Sequence, residues 1–81
     1  MNPERLQMKG LLADLKKKAV KLDADAAGRL ILIRTLANPY AEDVTDLDVE
    51  KLLNEASELC RIVTELREVR AKIKKLESDL D

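Results

Sequence analysis

The sequence predicts an all-α fold: an antiparallel two-helix hairpin that dimerises into a four-helix bundle. Two segments, separated by one short loop, carry apolar residues at alternating steps of three and four, which keeps them on one side of a helix, as in a coiled coil. The composition agrees, since 38% of the 81 residues are charged and Tyr40 is the only aromatic residue, a pattern typical of long helices. The two stripes are Met8, Leu12, Leu15, Ala19, Leu22 and Ala26, then Leu59, Ile62, Leu66, Val69, Ile73, Leu76 and Leu80.

The first helix is predicted over residues 3–37. Asn2 is a good N-cap, and Pro3 suits the first helical position, where its missing N–H costs nothing. After Ala26 we expect the stripe to shift by an extra step of four, because an unbroken heptad would place Arg29 between the helices. The shifted stripe continues through Leu30, Ile33 and Ala37.

The loop is predicted over residues 38–45, and the second helix over 46–78. Asn38 should close the first helix in a left-handed turn, since the proline after it disfavours the α region. Thr45 is expected as the N-cap of the second helix, with Asp48 completing a capping box. The early stripe of this helix is expected at Val49, Leu52, Ala56, Leu59 and Val63, before it moves onto the Ile62 series.

Self-association is expected because a chain this short hides only about 60% of its unfolded surface. Residues 30–33 are all apolar, so one side of the first helix could face the second helix and another side a partner. Gly28 either permits a close helix approach or marks a bend. The predicted partner is a second copy, or else an unidentified protein. The residues predicted to form the oligomer interface are Leu15, Leu22, Leu30, Ile33, Leu59, Leu66, Ile73 and Leu76.

The charges are unevenly placed. Residues 1–37 hold 8 Lys/Arg against 4 Asp/Glu, a net of +4, and residues 38–81 hold 7 against 12, a net of −5. Two readings follow: the helices attract one another, or the basic first helix binds a phosphate-rich partner.

No enzymatic chemistry, cofactor or metal site is expected. The chain has no histidine, the usual general base. Its single cysteine, Cys60, is read as a packing residue, with a reactive or dimer-bridging thiol as the alternative. The carboxylates at Asp46, Asp48 and Glu50 lack the glycine and the final glutamate of a calcium loop, so capping explains them.

The one basic cluster consists of Lys16, Lys17, Lys18 and Lys21. These lysines should spread over the solvent face of the first helix. The alternatives are a nucleic-acid contact and, more remotely, an anionic membrane surface, but the chain lacks aromatic side chains that stack on bases or anchor in lipid.

Tyr40 follows Pro39 in the loop. We expect its ring to fold back over the end of the bundle while its hydroxyl stays wet. The alternative is a contact point for a partner.

From Ile33 onward the chain resembles small helical proteins of Mu-like transposable phages and prophages. The resemblance is carried by Ile33-Arg34 with Leu36, by Asn38-Pro39-Tyr40, by Leu47-Asp48 and by Ile73-Lys74-Lys75-Leu76. It implies a phage or prophage accessory protein without enzymatic activity, and it transfers no functional residues.

The sequence therefore predicts a structural or protein-interaction module. The alternative is a small dimeric nucleic-acid-binding or regulatory protein that uses a basic face of the first helix. The chain has no apolar run of membrane-spanning length and one cysteine, so a cytoplasmic location is expected.

Overall fold

Two long helices make up almost the whole of residues 3–81, the part of the chain that the computed structural model describes. Helix α1 runs from Pro3 to Leu36 and helix α2 from Val49 to Leu80, with a single 3-10 turn at Val44–Asp46 between them. The helices pack side by side into a rod of 66 × 16 × 14 Å. Within the described residues there is no strand, so the predicted all-α hairpin is confirmed.

The loop differs from its prediction. Thr45 lies in the 3-10 turn, and Asp48 is the N-cap of α2, accepting a hydrogen bond from the backbone N–H of Lys51 at 3.1 Å. The capping box at Thr45 was therefore wrong, because Asp43 caps the 3-10 turn first and delays α2 to Val49. The Asn2 cap lies outside the described residues.

The end of α1 is also closed differently from the expectation. No non-glycine residue of the described chain has positive φ, so Asn38 does not adopt a left-handed turn. Its side chain instead accepts a hydrogen bond from the backbone N–H of Tyr40 at 3.0 Å. An Asx-type turn of this kind reverses the chain without strain.

The core is a narrow seam along the length of the rod. Its buried side chains are Leu22 on α1 and Ile62, Leu66 and Val69 on α2, all close to the middle of their helices. Leu15, Ala19, Ala26 and Ile73 pack against them. Each buried aliphatic side chain contributes about 1.5–3 kcal/mol, so this is a small core for two helices of 34 and 32 residues.

The seam keeps an unbroken heptad, and the predicted shift at Ala26 was wrong. Arg29 lies in the seam, where its Nη1 donates to Oε2 of Glu55 on α2 at 2.6 Å. The side chain of Glu55 is only 15% exposed and that of Arg29 is 38% exposed. The hydrogen bond from Arg29 and the charge of Glu55 raise the pKa of the arginine above its usual value. Mutual pairing is thus what lets two charged residues occupy seam positions.

Because Glu55 lies in the seam, the residues that the first turns of α2 contribute to the seam differ from those expected. Leu52, Glu55 and Leu59 continue the heptad back from Ile62, so Leu52 and Leu59 lie in the seam as expected, whereas Glu55 takes the place expected for Ala56. Val49 and Ala56 are exposed. They leave the seam and lie on the outer surface.

Gly28 lies within an unbroken α1. A Cβ placed there would meet nothing within 4 Å. Of the two alternatives, close approach to α2 is therefore excluded within this chain.

Candidate interaction surface

Two ion pairs define the two faces of the rod on either side of the seam. Asp23 lies 3.8 Å from Arg70, and Lys18 lies 3.0 Å from Glu65. Lys18 immediately precedes the seam residue Ala19, and Asp23 immediately follows the seam residue Leu22, so the two pairs bridge the helices on opposite sides. We name these surfaces the Asp23 face and the Lys18 face.

The loop-proximal half of the Asp23 face is apolar. Residues seven apart share one side of a heptad helix, so Leu30 lies on the same side as Asp23, and Val49, Ala56 and Val63 lie on the same side as Arg70. Leu53 and Cys60 occupy the adjoining outer positions. We call this set the apolar patch: Leu30, Val49, Leu53, Ala56, Cys60 and Val63.

The apolar patch is open to solvent. Leu30 is 40% exposed, Val49 51% and Leu53 67%, while Ala56 and Cys60 are exposed and Val63 is half-buried. No member is charged. Contiguous exposed apolar side chains on a soluble protein mark an interaction site more often than scattered ones do.

The other half of the Asp23 face is basic. The same heptad positions, followed away from the loop, carry five cations and two carboxylates, all exposed: Lys9, Lys16, Asp23, Arg67, Arg70, Lys74 and Glu77. The Asp23 face is thus divided along its length into an apolar half and a basic half.

The Lys18 face is ionic. Arg61 lies 2.9 Å from Glu58 and 3.6 Å from Glu65, which also pairs with Lys18. The hydrogen bond and charge of Arg61 lower the pKa of Glu58, and the same contact raises the pKa of Arg61. Exposed pairs of this kind contribute little to stability, and they leave this face well solvated.

The residues predicted as an oligomer interface mostly serve the hairpin itself. Leu22 and Leu66 are buried in the core, Leu15 and Ile73 pack against it, and Leu30 lies on the apolar patch. Half-buried positions along the rod account for the remaining three, Ile33, Leu59 and Leu76. Their contact with a second copy stays a prediction.

The four predicted lysines do not form one patch. Lys16 belongs to the basic half of the Asp23 face, whereas Lys18 is on the opposite face and pairs with Glu65. Lys17 and Lys21 are exposed on the outer side of α1. The basic surface built by the fold therefore draws on α2 as much as on α1, which the sequence reading missed.

Two further expectations were wrong. Tyr40 is 89% exposed, so its ring does not fold back over the end of the bundle. Cys60 is an exposed free thiol rather than a packing residue, because the seam passes through Leu59 and Ile62 on either side of it. The spacing of Leu53, Ala56, Cys60 and Val63 was visible in the sequence, and it marks the apolar patch.

A shallow groove of about 470 Å³ opens between the helices near the chain termini. It has an apolar floor and an ionic rim, formed by Leu11, Leu15, Lys72, Lys75, Leu76 and Asp79. Among residues 3–81, no group of three or more Cys, Asp or Glu side chains is placed to hold a metal ion. Over the same residues, neither helix combines the length and the apolar character that crossing a bilayer requires.

Comparison of the chain with protein-family models, with curated proteins and with solved structures found no match. The resemblance to phage proteins accordingly stays a prediction.

Proposed function

We propose that the protein is a non-enzymatic structural module that self-associates through the apolar patch, as a cytoplasmic accessory protein of phage or prophage type. The observation that carries the proposal is the apolar stripe of α2 from Val49 to Val63, which lies outside the hairpin seam and is exposed except at the half-buried Val63. A second stripe on one helix is what a four-helix bundle uses to join two hairpins.

The small core supports the same proposal. Only four side chains are buried within the described chain, and short chains usually need association or a covalent staple to fold stably. Covering the patch would remove Leu53, Val49 and Leu30 from water, at roughly 25 cal/mol per Å² of apolar surface.

The test is molar mass by light scattering on a sizing column. We expect the wild-type chain to run as a dimer and Leu53→Lys to run as a folded monomer, with helicity checked by circular dichroism. Ile31→Lys is the matched control, because Ile31 is a 65% exposed apolar residue on the side of α1 that faces away from the seam. A monomeric wild-type chain, or equal effects of the two variants, would contradict the proposal.

A nucleic-acid partner is the second candidate function, favoured by the five cations on the basic half of the Asp23 face. Phosphate binding would fall steeply with salt and would weaken on Lys16→Glu with Lys74→Glu. Binding to duplex DNA or RNA that ignores those two charges would remove this candidate.

A further inference from the structure

We propose that the apolar patch is covered by the same patch of a second copy, with the two α2 helices antiparallel and the two-fold axis passing at Ala56. In this dimer, Arg67 and Arg70 of each copy meet the acidic loop of the other. The inference rests on the proposed self-association, and it specifies the orientation of the partner and the charges that fix it.

The centre follows from the stripe itself. An antiparallel two-fold contact pairs residues equally far before and after the axis. Ala56 is the midpoint of the stripe from Val49 to Val63, so these two valines meet each other across the interface. Ala56 and Cys60 are the smallest side chains of the patch and lie at its middle, where two helices can approach most closely.

Charge complementarity sets the direction. Arg70 lies fourteen residues after Ala56 and Glu42 lies fourteen before it; Arg67 lies eleven after and Asp46 ten before. At 1.5 Å per residue the two arginines lie roughly 16–21 Å from the axis, whereas the partner's α2 begins at Val49, only roughly 10 Å from the axis on that side. Both arginines therefore lie beyond the first residue of the partner's α2, where its loop is. The exposed acidic loop, which also holds Asp43, therefore falls against the start of the partner's basic half.

The carboxylate of Asp43 is available as an anion over a wide pH range. Hydrogen bonds from the backbone N–H and the hydroxyl of Thr45, both 2.9 Å long, lower its pKa. The loop thus keeps its negative charge where the two arginines require it.

The alternative face-to-face dimer has its two-fold axis along the rod. That arrangement overlays the full length of the two hairpins, so the basic half of one copy, with five cations and two carboxylates, faces the basic half of the other. Like charges brought together in this way oppose association. The antiparallel arrangement overlaps only the loop-proximal halves and avoids the conflict.

Disulfide trapping tests the axis. Under mild oxidation, Ala56→Cys in a Cys60→Ser background should form a covalent dimer, because only a residue at the axis lies opposite itself. Wild-type Cys60 should not, since it is separated from its own copy by eight residues, or roughly 12 Å, along the interface. A dimer that fails to trap through position 56, or that traps through Cys60, overturns the orientation while leaving self-association intact; a monomer overturns both.

Charge reversal tests the electrostatic contact. Arg67→Glu with Arg70→Glu should raise the dimer dissociation constant about tenfold at low salt. Adding Glu42→Lys and Asp46→Lys to the same chain should restore it. Lys51→Glu with Lys72→Glu, on the Lys18 face, is the matched control and should leave the dimer unchanged; an equal loss there, or no rescue, contradicts the contact.

Small-angle scattering gives a third readout. One hairpin is 66 Å long, so overlap of the loop-proximal halves predicts a dimer of roughly 100 Å. A maximum dimension close to that of one hairpin would instead indicate full-length overlap. The protein purified from its natural source provides a further check. If that material contains a different protein bound to the apolar patch, the occupant is not a second copy.

Discussion

Gly28 weakens helix α1 although its lack of a side chain makes no room for a contact with α2. Its neighbourhood is open space in the described chain, and glycine inside a helix is less favourable than alanine by about 1 kcal/mol. We expect Gly28→Ala to raise the free energy of unfolding by about that amount, measured by urea denaturation. The reciprocal change Ala27→Gly, one position earlier and also exposed, should lower it similarly. A loss of stability in Gly28→Ala would mean that a partner approaches this residue.

Asp43 makes the loop sensitive to acid. Its pKa in the folded chain is lowered by the hydrogen bonds from Thr45, below the unfolded value of about 3.9. Its contribution to stability is therefore fully present above the unfolded value and is lost as the pH falls through the folded value.

The matching measurement is the thermal midpoint between pH 7 and pH 2. Asp43→Asn keeps an acceptor oxygen for the Thr45 N–H but removes the titration, so its midpoint should fall less on acidification than that of the wild-type chain. Asp46→Asn is the control, an exposed neighbour in the same turn. Identical acid profiles for wild type and Asp43→Asn would refute the assignment.

Two of the wrong residue predictions, those for Tyr40 and Cys60, share a physical reason. Cys60 was expected to pack because it follows the spacing of Leu53, Ala56 and Val63, and Tyr40 was expected to cover the end of the bundle because it follows Pro39 in the loop. Whether such a residue is covered depends on where the seam and the loop run, which local spacing does not fix. The seam passes Cys60 by one position, and the Asx-type turn at Asn38 directs the loop so that Tyr40 remains exposed.

The pairing of α1 with α2 depends on one polar contact within an apolar seam. Arg29 and Glu55 occupy heptad positions, and sliding α2 by one heptad would place the arginine against Ile62 and leave the glutamate unpaired. A buried polar pair can fix register in this way, often at some cost in stability.

We expect the double variant Arg29→Leu with Glu55→Leu to be at least as stable as the wild-type chain, and Arg29→Leu alone to be the least stable. The single change leaves the mostly buried Glu55 without its partner. The order of the three midpoints in urea checks this, with Arg61→Leu as an exposed control for removing an arginine. A single variant more stable than the double one would contradict the role of the pair.

Helix positions were largely predictable from the sequence, whereas the seam was not fully so. Apolar spacing alone favours a shift that keeps Arg29 out of the interior. The correct seam runs through positions 26, 29, 33 and 36 of α1 and positions 52, 55 and 59 of α2. It can be recognised only when Arg29 and Glu55 are considered together as an ion pair. The start of α2 was missed because Asp43, Thr45, Asp46 and Asp48 are all suitable N-caps.

Across the molecule as a whole, α1 and α2 use their apolar residues differently. Helix α2 concentrates them on the seam and the patch, while α1 also exposes Leu6, Val20 and Ile31 on its outer side. The sequence predicted a hairpin that associates, but the location of the apolar patch required the ion pairs that orient the two faces.

Truncation of Leu66 and truncation of Leu30 should distinguish the folding of the hairpin from its association. Leu66 is 5% exposed in the core, so Leu66→Ala should lower the free energy of unfolding by about 2–5 kcal/mol. Leu30→Ala, at a 40% exposed position, should affect unfolding much less and dimerisation more. Denaturation and sedimentation equilibrium on the same samples distinguish the two, and equal losses of unfolding free energy would show that Leu30 belongs to the core.

The central position of the buried side chains has a consequence for how the rod opens. Leu22, Ile62, Leu66 and Val69 lie near the midpoints of their helices, and local opening is easiest where burial is least. Backbone amides near these four residues should exchange with deuterium most slowly, and protection should fall toward both ends. The hairpin would then open locally from its ends inward, so that the helix pairing near the loop breaks and re-forms while the middle third stays paired.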